Sequence, residues 1–109
     1  MSRYFIGFLI KLYCVLAHKA DFDTIDVRKL RSAIDQSLGI QVFTDGGFVG
    51  CTGAEAVVFT AIRDNAGSFE STLLGVRGRL VTEAKSSFQM EVLALDWALE
   101  IIANALLLP

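Results

Sequence analysis

Histidine, cysteine and excess positive charge are all scarce in this chain of 109 residues. The single histidine, His18, has no serine or cysteine partner in an evident motif, so a nucleophile–base triad has little support. The two cysteines, Cys14 and Cys51, lack a metal-ligand or redox spacing, and a disulfide framework would need more of them. We therefore expect free thiols in a reducing compartment, in the cytoplasm or nucleus.

The charge balance also excludes a strongly cationic protein. The formal net charge is -2, and only a local basic cluster at Arg28, Lys29 and Arg31 stands out. Such a balance argues against tight electrostatic binding of a polyanion by this segment alone. Hydrophobic residues make up 53% and charged residues 20% of the chain, which is enough apolar material for one packed domain.

An apolar run covers residues 4–17 and is interrupted by Lys11. It is too short for a standard membrane span, and no small-residue cleavage site follows it, so we do not expect a membrane partner. Three interpretations stay open: a packed or partner-bound helix or strand, a non-native leader from a shortened gene, or a targeting segment. Residues 21–38 then read as an amphipathic helix, capped by Asp23 or Thr24 and closed by Gly39.

The remaining chain alternates between strand and turn signals before one long helix. Residues 46–53 are glycine-rich and predict a flexible loop, and residues 64–67 (DNAG) predict a tight turn. The strands are expected at residues 40–45, 55–63 and 68–81, and the helix at residues 86–106. Together these elements predict an antiparallel three-stranded meander followed by a helix.

Two features describe the predicted helix. Ser86 and Gln89 have the spacing of a capping box. One apolar stripe recurs at helical spacing, and its members are Phe88, Val92, Leu95, Leu99 and Ile102. Ala94, Ala98 and Leu95 lie on a closely related face, where small residues permit close approach to a sheet.

Two carboxylates occupy unusual positions. Asp45 closes an apolar strand just before two glycines, and Glu91 has Ala94, Leu95 and Ala98 as its helical neighbours. A carboxylate on such a border is costly unless it is paired, hydrogen-bonded or metal-bound. If the helix crosses the sheet, Asp45 and Glu91 converge and suit Mg²⁺ or Mn²⁺. A turn-forming role for Asp45 is the alternative interpretation.

The strings VFTDGG, EAVVFTAIRDNAG and SSFQMEVLALDWALEII, in this order, resemble the ribonuclease H type 1 family, especially its plant-type and retroelement-type domains. Thr44, Asp45 and Gly46 match that family's Thr-Asp-Gly motif at the end of its first strand. Glu91 matches the glutamate of its first helix. The resemblance covers residues 40–102 and implies a partial ribonuclease H-like α/β fold in residues 40–109, preceded by an N-terminal helical region in residues 1–39.

The resemblance also implies a function. Asp45 and Glu91 would ligate two divalent ions, Mg²⁺ or Mn²⁺, for hydrolysis of the RNA strand of an RNA–DNA hybrid. Contacts to the hybrid would come from Ser86, Ser87 and Gln89 at the helix start, and from Gly46 of the Thr-Asp-Gly motif. A helix cap explains the serines equally well.

The family has two further carboxylates and two further strands beyond the point where this chain ends. We therefore expect a truncated domain with weak activity or none by itself, and self-association through an exposed sheet edge. The alternative function is a non-catalytic module that binds nucleic acid or protein with half of the fold, and a membrane-associated small protein is a third.

Overall fold

The computed structural model describes residues 21–109, which form a four-stranded antiparallel sheet and two helices. The strand order across the sheet is β1-β4-β3-β2. The elements in chain order are β1 (Phe22–Asp23), α1 (Val27–Asp35), β2 (Gly39–Val49), β3 (Thr52–Asn65), β4 (Ser68–Val81) and α2 (Ser87–Leu106).

The predicted meander of β2, β3 and β4 is confirmed. The tight turn between β3 and β4 centres on Ala66 and Gly67, both of which have positive φ angles. The prediction of a flexible loop over residues 46–53 was wrong, because β2 continues to Val49 and β3 begins at Thr52. Gly46 and Gly47 are members of the ladder, where they lie opposite Glu55 and Ala54 of β3.

The prediction for residues 21–38 needs correction at the start of the helix. Residues Phe22–Asp23 form a short strand against β4, so the helix begins only at Val27. Its N-cap is Asp26, whose carboxylate accepts hydrogen bonds from the amides of Arg28 and Lys29, and neither predicted cap serves. Thr24 instead exchanges hydrogen bonds with the Val76 backbone, which anchors the chain to the sheet before the helix starts.

The end of the first helix also differs from the prediction. Ser37, with φ of 57°, is the residue in the left-handed region, and Gly39 is already the first residue of β2. Gly39 therefore pairs with Ile62 in the sheet and does not close the helix as expected.

The core is organised around β3, which is buried on both faces from Gly53 to Ala61. Both helices pack on one face of the sheet, where Leu30 of α1 and Trp97 of α2 contact Val57 and Phe59. A second apolar cluster occupies the other face and consists of Ala54, Ala56, Val58 and Val76, with Phe22, Phe43 and Leu80 against it. Burial on both faces explains why β3 is mostly apolar from Gly53 to Ala61, with Glu55 and Thr60 as its buried polar residues.

The apolar stripe of α2 does not face the sheet, and the expectation that Leu95 would approach the sheet together with Ala94 and Ala98 was wrong. Phe88, Val92, Leu95 and Leu99 keep 74, 49, 55 and 59% of their surface exposed, and Ile102 is only partly buried. The buried side chains are Met90, Ala94, Trp97, Ala98, Ile101 and Ala105. The predicted close approach of Ala94 and Ala98 is confirmed, because small side chains let the helix backbone lie near β2 and β3.

The apolar run of residues 4–17, together with Cys14 and His18, lies outside the described residues. Within residues 21–109, neither helix has both the length and the apolar character needed to cross a membrane.

Candidate functional site

Gly46 is a point of close backbone contact between β2 and α2. A Cβ atom added to Gly46 would lie 2.4 Å from the carbonyl carbon of Met90 and 2.6 Å from the amide nitrogen of Glu91. Both neighbours are backbone atoms, so no side-chain rotation could relieve the contact. Only glycine permits this approach, and the approach brings the backbone of Glu91 next to the strand residue that follows Asp45.

Asp45 lies half-buried on β2. Strand alternation puts it on the same face as Phe43, since Asp45 and Phe43 pair with Ala56 and Val58 of the second apolar cluster. Its Oδ1 atom accepts a hydrogen bond of 2.9 Å from the amide of Gly46. Glu91 is exposed on α2, which packs on the opposite face near the edge formed by β2. The backbone of Gly46 thus lies between the two carboxylate-bearing residues.

The pKa of Asp45 is raised above its ordinary value. Burial is the largest cause and favours the neutral form, whereas the hydrogen bond from Gly46 lowers the pKa and the negative charge of Glu91 raises it again. The contribution from Glu91 means that the two carboxylates are close enough to repel. The structure therefore places the two residues that the sequence singled out on either side of the Gly46 contact, where the charge of Glu91 acts on Asp45.

A repelling pair of carboxylates is a reasonable donor set for a hard divalent cation, which relieves the repulsion and takes oxygen ligands with several waters. Gly46 engages one oxygen of Asp45, which leaves the other oxygen able to act as a ligand. Within residues 21–109, however, no group of three or more histidine, cysteine, aspartate or glutamate side chains comes together as a metal site. The residues present fit an ion held by two protein ligands and water.

Three of the four residues predicted to contact a hybrid lie at the start of α2, near Glu91, and the fourth, Gly46, lies on β2. Ser86 is the N-cap, and its Oγ accepts a hydrogen bond of 3.0 Å from the Gln89 amide. Gln89 Oε1 accepts from the amide of Lys85 at 2.7 Å, one residue before the usual capping-box partner. Ser87 is exposed. Capping thus accounts for Ser86 and Gln89, and their contact with nucleic acid stays a prediction, as it does for Gly46.

Glu55 is a buried carboxylate that the sequence did not single out. It pairs with Gly46 across the β2–β3 ladder and is fully buried on the helix-covered face. Arg79 Nε donates a hydrogen bond to Glu55 Oε1, whereas Oε2 is buried without a hydrogen-bond partner. The only sequence signal was a glutamate at the head of an apolar run, which local periodicity does not separate from an exposed strand end.

The environment of Glu55 differs from that of Asp45. Burial raises the pKa of Glu55 most strongly, Arg79 lowers it, and the charges of Asp96 and Glu100 raise it. The guanidinium of Arg79 also lies over the Trp97 ring, 4.0 Å from its centroid. Glu55 therefore belongs to a structural cluster with Arg79 and Trp97 on the β4 side of α2.

Comparisons with known proteins add no identification: no family model matches the chain, and no curated protein or solved structure shows significant similarity to it.

Proposed function

We propose that this chain is a ribonuclease H-like protein that hydrolyses the RNA strand of an RNA–DNA hybrid with Mg²⁺ or Mn²⁺, and that Asp45 and Glu91 are its metal ligands. The observation that carries the proposal is the close contact of Gly46 with the Glu91 backbone, which brings Asp45 within reach of the charge of Glu91. Burial is the largest cause of the raised pKa of Asp45, and the charge of Glu91 adds to it. Two such residues on a strand and a later helix become neighbours only through the close contact of Gly46 with α2.

The arrangement of elements supports the same proposal. The chain runs through an antiparallel meander of β2, β3 and β4 into α2, which packs on β2 and β3. The proposed ribonuclease H-like domain would occupy residues 40–109. In that family the Thr-Asp-Gly motif and the helix glutamate hold the same two positions in this order of elements.

The chain's own residues would prepare the site in three ways. The Gly46 amide holds one oxygen of Asp45, which fixes the orientation of this carboxylate. The hydrogen bonds of Ser86 and Gln89 start α2 at a defined residue, which fixes the position of Glu91 one turn later. A divalent ion bound to both carboxylates would supply an activated water and stabilise the leaving oxygen of the phosphodiester.

The test is cleavage of a labelled RNA–DNA hybrid in Mg²⁺ or Mn²⁺ by four proteins: the native chain, Asp45→Asn, Glu91→Gln and Asp96→Asn. Asp96 lies on the same helix but is exposed and outside the pair, so its variant is the matched control. We expect cleavage by the native chain and by Asp96→Asn, and background levels from the other two. Calorimetric titration with Mn²⁺ should show binding that Asp45→Asn weakens.

A folded native chain that leaves the hybrid intact would overturn the enzymatic proposal, as would full activity in both Asp45→Asn and Glu91→Gln. The second candidate function is a non-catalytic module that binds nucleic acid. It is favoured by the presence of only two converging carboxylates, with no larger metal-ligand group in residues 21–109. Retention of the hybrid on the native chain, without cleavage and without Mn²⁺ binding, would support that candidate.

A further inference from the structure

Strand β2 is an unprotected sheet edge within the described part of the chain. It is 11 residues long and pairs only with β3 there. Its sequence, GIQVFTDGGFV, contains no proline or lysine, and Asp45 is its one charged residue. Edge strands of monomeric proteins usually carry such residues or are short, because an open row of amides and carbonyls recruits another strand.

The exposed stripe of α2, defined as Phe88, Val92, Leu95 and Leu99, lies beside this edge. With about 100° per residue, its centre is roughly 70° around the helix from Glu91 and roughly 170° from Trp97. The backbone of Glu91 adjoins Gly46 of β2, whereas Trp97 lies under the arginines of β4. The stripe is therefore directed away from β4, toward solvent on the side of the helix nearer to the free edge of β2.

We propose that the β2 edge and the α2 stripe together form the interface of a symmetric dimer, in which a second copy of this chain pairs its β2 antiparallel with β2. A twofold axis perpendicular to the sheet would join the two sheets into one of eight strands. It would also leave both α2 helices on the same face, with their stripes turned toward each other. The same patch serves on both copies, as an isologous contact requires.

The spacing of the helices is the first geometric support. Helix α2 contacts both β2 and β3, since Met90 lies against Gly46 and Gly53. The axis of α2 therefore lies above the gap between β2 and β3, about one strand spacing from the proposed twofold axis, which lies just outside β2. The twofold rotation doubles this distance, so the two α2 helices would lie ~10 Å apart. Packed helices have interaxial distances of about 8–10 Å, so the stripes would interlock without displacing the sheets.

The β2 edge and the α2 stripe also have their midpoints at the same position along β2. Met90 lies over Gly46, and Ile101 and Ala105 share a cluster with Ile40, so α2 runs antiparallel to β2. A rise of about 1.5 Å per helix residue puts Leu95 about 8 Å from Met90, or between two and three strand residues from Gly46. The middle of the stripe therefore lies near Thr44, which is the midpoint of β2, and one axis serves both.

The area available is sufficient for association. The four exposed side chains of the stripe offer on the order of 400 Å² of apolar surface per copy. With the strand edge added, two copies would bury about 1,200 Å², which is the lower end of the range for specific interfaces. A second copy is thus a fitting occupant, and the expected dimer is of moderate affinity.

The test is the mass of the full chain in solution by analytical ultracentrifugation from about 1 to 200 μM. We expect a concentration-dependent shift from 11.9 kDa to twice that mass. Leu95→Glu should raise the dissociation constant at least about tenfold, because it puts a charge at the centre of the interface. The matched control is Phe69→Glu, since Phe69 is 78% exposed at the far end of β4 and should not matter.

Hydrogen exchange of the native chain provides a second readout that needs no variant. Amides of β2 that point to the free edge should exchange more slowly as the concentration rises. A mass of 11.9 kDa throughout would overturn the proposal, and so would a dimer that Leu95→Glu leaves intact. Slow exchange at every concentration in a monomer would also overturn it, and would mean that a segment of the same chain covers the edge.

The negative charge of Asp45 on β2 provides a test of where the proposed twofold axis crosses the strand. An axis near Thr44 brings the two Asp45 carboxylates near each other, and their repulsion opposes association. Asp45→Asn should therefore lower the dissociation constant at neutral pH. An unchanged constant would contradict the proposed position of the axis.

Discussion

Replacement of Gly46 by alanine tests the contact on which the candidate site depends. The new Cβ would lie 2.4 Å from the carbonyl carbon of Met90, whereas ordinary van der Waals contact begins at 3.4 Å. Because the atoms that it meets all belong to the helix backbone, α2 would have to move away from β2 by about 1 Å. Overpacking of this kind costs about 1–3 kcal/mol, and we expect about 3 kcal/mol here because the backbone cannot yield locally.

The matched control is Gly39→Ala in the same strand. A Cβ at Gly39 would meet the Ile62 Cβ atom at 3.6 Å, which is an ordinary contact. We expect the free energy of unfolding of this variant to stay within about 0.5 kcal/mol of the native value.

Urea denaturation followed by circular dichroism gives both free energies, and thermal unfolding should show a decrease in Tm of about 12 °C for Gly46→Ala. Equal stabilities for Gly46→Ala and Gly39→Ala would refute the reasoning, because they would mean that α2 does not press on β2 at this residue. The contact that aligns Asp45 with Glu91 would then have to be abandoned.

Two further predictions concern stability. Asp26→Ala should lower the free energy of unfolding by about 1 kcal/mol by removing the N-cap of α1, whereas Asp35→Ala, which breaks an exposed ion pair, should cost less than about 0.5 kcal/mol in the same urea titration. The raised pKa of Glu55 makes the folded state bind more protons than the unfolded state, so its contribution to stability is present below pH 4.5 and lost as the pH rises through the folded pKa. Glu55→Gln should therefore lose less stability than the native chain between pH 4.5 and 7. If the urea midpoints of the two proteins changed equally with pH, the result would argue against a buried, destabilised carboxylate at Glu55.

Some elements followed from local chemistry alone. The third predicted strand coincides with β4, and the DNAG turn lies between β3 and β4. Ser86 caps α2 as its spacing with Gln89 indicated. In each case the deciding interaction joins residues only a few positions apart, so the amino-acid order carries enough information.

Other features were decided by contacts between distant segments. Helix α2 is apolar on two faces, and periodicity favoured the stripe of Phe88, Val92, Leu95 and Leu99 that the structure leaves exposed. The sheet selected the opposite face because Gly46 and Gly53 open space for the helix backbone and for the Met90 side chain. The helix face could be chosen only once the partner surface existed.

The candidate site divides in the same way. The sequence by itself marked Asp45 and Glu91 as carboxylates in costly positions, since each stands beside apolar neighbours. The tertiary structure decided that their backbones come close, because the approach at Gly46 joins a strand to a helix about 45 residues later. It also decided that Glu55 is buried and paired with Arg79. Burial depends on which elements cover a side chain and not on the residues beside it in sequence.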